Sequence, residues 1–148
     1  MDNQMQASKE PTAKSKSRLL PAIARVLMGL GFLVFGLNGF LNFIPQPKTL
    51  PEGALALFGA MMKTGYMIPL LFGTQILVAV LLLSNRFVPL ALALIAPVIV
   101  NIVGFHLFLE PSGLPIACLF LVMELYLAWS YRRAFLPMLA LRTWPGGD

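Results

Sequence analysis

Long apolar runs alternate with short polar interruptions along this chain, at about residues 19–44, 66–83, 87–109 and 114–131. Each run approaches the ~20 residues that cross ~30 Å of hydrocarbon at a helical rise of ~1.5 Å per residue. The pattern therefore predicts four transmembrane helices. Ser84-Asn85-Arg86 and Glu110-Pro111-Ser112-Gly113 are too short for anything but tight turns, so the spans they join are expected to be antiparallel neighbours.

Between the first two spans the hydropathy breaks, over Pro45 to Lys63. Pro45, Pro47 and Pro51 predict a loop, and Thr49 followed by Glu52 has the spacing of a capping box. Leu55, Phe58, Met61 and Met62 then recur at helical intervals. They predict a short helix lying at the membrane interface. The expected fold is an all-α integral membrane protein: an antiparallel four-helix transmembrane bundle with a short interfacial helix between spans 1 and 2.

The ends are different in kind. Residues 1–18 are polar, carry Lys9, Lys14, Lys16 and Arg18, and read as a disordered basic tail. The run from Leu19 is too long for the apolar core of a signal peptide and has no small-residue cleavage site after it. It is expected to stay as span 1, with Pro21 in its first turn. Residues 132–148 set Phe135, Leu136, Leu139 and Trp144 beside Arg133 and Arg142. This tail is expected on the membrane surface, with Trp144 at headgroup level. No internal repeat is visible.

Composition agrees with the bilayer. Of 148 residues, 58% are hydrophobic and 11% charged, against ~25% charged in soluble domains. A single soluble domain of this size could not bury so much apolar surface. The net charge of +5 sits on residues that flank the spans, so it encodes topology and not nucleic-acid binding. Lys9, Lys14, Lys16, Arg18, Arg86, Arg132, Arg133 and Arg142 fall on one side, and Lys48 and Lys63 on the other. Both termini are expected in the cytoplasm. Cys118 is the sole cysteine and His106 the sole histidine, which argues against disulfide chemistry and a protein-ligated transition metal. The GxGxxG, P-loop, HExxH and GxSxG signatures of soluble enzymes are absent.

Two ionisable residues lie inside spans, Arg25 and Glu124, and such groups are functional candidates by default. Measured from the cytoplasmic face, Arg25 lies ~6–9 Å deep and Glu124 ~10 Å. They are expected to form an intramembrane ion pair. Arg25, Gly29 and Gly36 share one stripe of span 1; Ala117, Glu124, Ala128 and Tyr131 share one of span 4. Small residues would let these two helices dock. Two alternatives stay open: Arg25 snorkels to the headgroups while Glu124 sits protonated on a backbone or tyrosine partner, or Glu124 titrates in function. Asn38, Gln75 and Asn101 lie at similar depth in the outer half and read as interhelical glue or as a polar pocket. Asn42, His106 and Glu110 would form its mouth. Asn101 points about 140° from His106 on an ideal helix, so convergence needs a kink at Pro97.

RVLMGLGFLVFGLNGFLNFIP (Arg25 to Pro45), the stretch Thr64 to Leu109 with NRFVPLAL, and LVMELYLAW (Leu121 to Trp129) together resemble the DoxX family of small bacterial membrane proteins. The resemblance covers about Arg25 to Leu139. It implies a multi-pass protein of the bacterial inner membrane, mostly of unassigned activity. Some relatives are linked to quinone-coupled oxidation of sulfur compounds and others to thiol-redox complexes with soluble partners. Arg25, Asn38 and Glu124 fall within the shared strings, with no catalytic role implied. The lone Cys118 departs from relatives that would use a dithiol.

The expected function is that of an accessory or scaffolding subunit, non-catalytic, serving a quinone-linked redox system. No cofactor is predicted, and quinone is the one candidate; Phe32, Phe35, Phe40 and Phe43 read first as lipid contact or core, and alternatively as the border of a quinone or lipid tail. The alternative is a small proton-coupled transporter acting as an oligomer through Glu124. Expected partners are the lipid bilayer, a protein of a redox complex and a second copy of the chain.

Overall fold

The computed structural model describes residues 12–45 and 49–142. Residues 1–11, including most of the basic tail, and 143–148, including Trp144, lie outside the described residues. Six α-helices run in chain order: α1 (Thr12–Leu41), α2 (Glu52–Lys63), α3 (Met67–Leu83), α4 (Val88–Phe108), α5 (Leu114–Ser130) and α6 (Arg132–Phe135). Short 3-10 turns at Pro111–Gly113 and Leu136–Leu139 flank α5 and α6. No strand occurs among the described residues.

Helix α1 begins seven residues ahead of the predicted span, which corrects the reading of residues 12–18 as disordered. No Gly or Pro interrupts Thr12 to Leu20, and Ala, Lys, Arg and Leu are good helix formers whether or not they are buried. Pro21 therefore lies inside α1 and not in its first turn. The helix ends at Leu41, where Asn42 turns into the left-handed region at φ 51°. An asparagine tolerates that conformation better than other side chains.

Helix α2 has Pro51 and not Thr49 as its N-cap, with no side-chain cap bond, so the Thr49–Glu52 capping box does not form. It meets α3 at a 93° bend. Gly65 supplies the turn with φ 75°, and the Thr64 hydroxyl accepts from Met67 N at 3.1 Å while donating to Met61 O at 2.6 Å. Among the described residues three helices are long and apolar enough to cross a membrane: Leu19–Leu41, Val88–Phe108 and Pro111–Ser130. The bent pair α2 and α3 is a fourth if taken together. At 17 residues, α3 alone is ~25 Å long.

Four helices close a ring, with α1 against α3 and α5, α3 against α4, and α4 against α5. Met28, Phe32, Val78, Leu82, Leu92, Ile95, Ile99 and Leu127 fill its centre. The glycines of α1 set which neighbour it lies on. A Cβ at Gly29 would come 2.9 Å from Leu83 Cγ, and one at Gly36 would come 3.1 Å from the backbone N of Ile76. Both glycines therefore face α3. This corrects the expectation that they dock span 1 on span 4. The contact with α5 is carried instead by Phe120, whose ring lies against Gly31 and stands 4.7 Å from the ring of Phe32.

Candidate functional site

Arg25 and Glu124 are both in the interior of the ring, 9% and 6% exposed. Arg25 arrives there on the stripe Arg25, Met28, Phe32, Gly36 of α1, and Glu124 on the stripe Ala117, Phe120, Glu124, Leu127 of α5. Each stripe repeats at helical spacing, so burial of its apolar members carries the charged residue inward.

The expected ion pair is not there. Among the described residues no Arg25 nitrogen lies within 4.0 Å of a Glu124 oxygen, and the one pair that meets that distance is His106–Glu110. Arg25 Nη1 donates instead to the carbonyl oxygen of Leu82. The reason is the helix on which α1 lies. Leu82 is in the last turn of α3, where backbone carbonyls lack intrahelical partners and carry the negative end of the helix dipole. With α1 seated on α3, a guanidinium four residues ahead of Gly29 finds that carbonyl. It does not snorkel outward either.

Glu124 is left with Oε2 fully buried and without a hydrogen-bond partner among the described residues. An unpartnered buried polar atom costs on the order of 1–3 kcal/mol. Chemically, that oxygen can hold a proton or accept a hydrogen bond from a group that enters the core.

The outer polar residues separate into local arrangements. Asn38 Oδ1 accepts from Ile44 N at 2.7 Å, and Asn38 O accepts from Asn42 N at 2.8 Å. Asn38 and Asn42 therefore close the end of α1. Asn101 is exposed and its Nδ2 donates to Pro97 O, one turn back on its own helix, at 2.8 Å. Gln75 alone is buried, with its Cβ against Gly36. Among the described residues no hydrogen bond joins the three amides to one another.

His106 and Glu110 do meet, with Nδ1 3.1 Å from Oε2 and 2.8 Å from the Glu110 carbonyl oxygen. The Glu110 carboxylate also accepts from the amides of Ser112 and Gly113, each at 3.3 Å, and from the Ser112 hydroxyl. Those bonds, the Ser112 hydroxyl foremost, hold the Glu110 carboxyl below its usual range. His106 lies where a Cβ on Gly113 would be. Ser112 and Gly113 thus belong to this cluster although the sequence reading left them out; an acid two residues before Ser and three before Gly is the signal of a side-chain-capped turn. Asn42, exposed at the end of α1, does not bond to this cluster among the described residues. The arrangement is a latch for the α4–α5 turn.

The phenylalanines of α1 also divide. Phe32 is core, Phe35 stands edge-on to Phe120 at 6.0 Å, and Phe40 edge-on to Phe72 at 6.3 Å. Phe43 is exposed.

Fold and interior together define an all-helical protein with several apolar helices of membrane-spanning character and two buried charged residues, Arg25 and Glu124, that form no ion pair among the described residues. No family model, curated protein or solved structure matches the chain.

Proposed function

We propose that this chain is a DoxX-like, multi-pass protein of the bacterial inner membrane that serves as an accessory or scaffolding subunit of a quinone-linked redox system. Its four spans are α1, α3, α4 and α5, antiparallel in sequence order, with α2 lying at the interface and both termini in the cytoplasm. The observation that carries the membrane reading is the outer surface of the ring. Leu27, Leu70, Val80, Val100, Val122 and Leu125 are all more than half exposed. Water would not tolerate such faces on every long helix, whereas lipid matches them. The register supports the antiparallel order, since Gly29, Gly36 and Gly39 of α1 oppose Leu83, Ile76 and Phe72 of α3 in reverse sequence.

Support for an accessory role comes from the interior. Apart from Arg25, Gln75 and Glu124 the buried side chains are aliphatic and aromatic, and Asn38 and Asn101 bond to backbone within or at the end of their own helices. The test is purification of the full chain at native abundance in mild detergent. The expected result is a stoichiometric oxidoreductase partner with bound quinone. A chain that purifies without either, and that drives substrate-dependent proton flux alone in liposomes, refutes it.

A second reading, proton-coupled transport by an oligomer, is favoured by one observation. Glu124 Oε2 has no hydrogen-bond partner among the described residues, so no direct guanidinium bond occupies that oxygen. In that reading Glu124→Gln abolishes flux while the fold survives.

A further inference from the structure

We propose that the segment following α5 docks on anionic phospholipid headgroups; this inference rests on the membrane reading above. Helices α4 and α5 diverge from the latched turn at Glu110–Gly113, so Val88 and Ser130 share the opposite end of the ring. Arg86, Arg132, Arg133 and Arg142 belong to that end and are exposed. No Asp or Glu occurs between Glu124 and Asp148, so nothing in this stretch neutralises them.

The segment is held in a defined pose. Tyr131 and Phe135 pack against the core, which anchors α6 to the ring. Arg132 lies 4.8 Å over the ring of Trp129 and donates to Trp129 O at 3.0 Å. That contact uses Nη1 and leaves the rest of the guanidinium fork available to a phosphate. Beyond the anchor, Leu136, Met138, Leu139 and Leu141 are between 61% and 102% exposed. Leu141 has no covering group at all.

Apolar side chains exposed beyond the end of a span, flanked by arginines and free of acids, have the composition of a segment seated at the headgroup boundary. A zwitterionic surface would take the leucines but leave four cations without counter-charge. An anionic surface satisfies both, and each basic residue near it is worth roughly fivefold in occupancy.

The full chain carrying Leu139→Cys in a Cys118→Ser background would be reconstituted into vesicles of phosphatidylcholine or of phosphatidylcholine with phosphatidylglycerol. Flotation reports insertion, and a membrane-impermeant maleimide reports exposure of the introduced thiol. The expected result is labelling at least about tenfold slower with phosphatidylglycerol, reversed by Arg132→Gln with Arg133→Gln and by high salt. Equal labelling in both vesicle types, whether fast or slow, overturns the proposal while insertion stands. Failure to float with either vesicle overturns the membrane reading and this proposal with it.

Discussion

Replacing Glu124 with methionine tests the separation of the buried charges. Methionine keeps the length and helix propensity of the side chain and removes the partnerless oxygen. Glu124 is 6% exposed and its Oε2 has no partner, so the substitution should raise stability by about 1–3 kcal/mol, the cost of leaving such a group unsatisfied. Arg25→Met removes one charge-assisted bond to Leu82 O, and that carbonyl keeps a bond from Asn85 N at 3.2 Å. Because the two side chains share no hydrogen-bond partner, the double variant should be additive within ~0.5 kcal/mol. Unfolding in mixed dodecyl maltoside and SDS micelles, followed by far-UV circular dichroism, gives all three values. A paired Arg25 and Glu124 would behave in the opposite way. Glu124→Met alone would then cost about 3–5 kcal/mol by stranding the arginine, and Arg25→Met would recover much of that loss. That pattern would refute the reasoning.

Gly36→Ala should destabilise by ~1–3 kcal/mol, because its Cβ meets the backbone of α3 and cannot be accommodated by a rotamer change. Gly73→Ala, with nothing within 4 Å, should be neutral or stabilising by up to ~1 kcal/mol in the same assay. Asn38→Ala removes the acceptor for Ile44 N and should cost ~1 kcal/mol, read as faster hydrogen exchange at Ile44 with the core amides unchanged. The Glu110 carboxyl is depressed below its usual 4.5, so its contribution to the turn is fully present above that pH and lost as pH falls through the lowered value. The protection factors of the Ser112 and Gly113 amides, taken relative to intrinsic exchange at each pH, should therefore fall on acidification below pH 4.5 in the native chain and lose that dependence in Glu110→Gln.

Much of the helical order is legible in the apolar pattern. Helices α3, α4 and α5 lie within the runs 66–83, 87–109 and 114–131, because turns such as Ser84-Asn85-Arg86 are polar and cannot be drawn into a packed face. The start of α1 is not legible from hydropathy, since Thr12 to Arg18 is helical without being apolar. Partner choice is the harder matter. Gly29 and Gly36 announce close approach, but a glycine does not say to which helix. Only the seating on α3 decides that, and with it the fate of Arg25. Its partner is the carbonyl of Leu82, and backbone groups carry no sequence signature. The same limit applies to the amide layer: depth follows from the rise per residue, whereas azimuth depends on the whole packing. His106 and Glu110 could be joined from sequence because a separation of four residues across the end of α4 keeps them close, although Glu110 lies past the last helical residue, Phe108.

These outcomes change what Glu124 means. As half of an ion pair it would be explained by stability alone, since an acid among leucines would be the counter-charge of Arg25. With Arg25 bound to α3, that explanation is gone. An apolar residue on the stripe Ala117, Phe120, Leu127 would pack as well and leave no oxygen unsatisfied. The acid is thus a net cost to the fold, and groups of that kind inside a membrane are characteristic of proton or ligand traffic. If Glu124→Met is the more stable protein and still supports every partner interaction, the acid has no task in the scaffold. If it is more stable and fails to retain quinone or partner, the free carboxylate oxygen is where that contact is made.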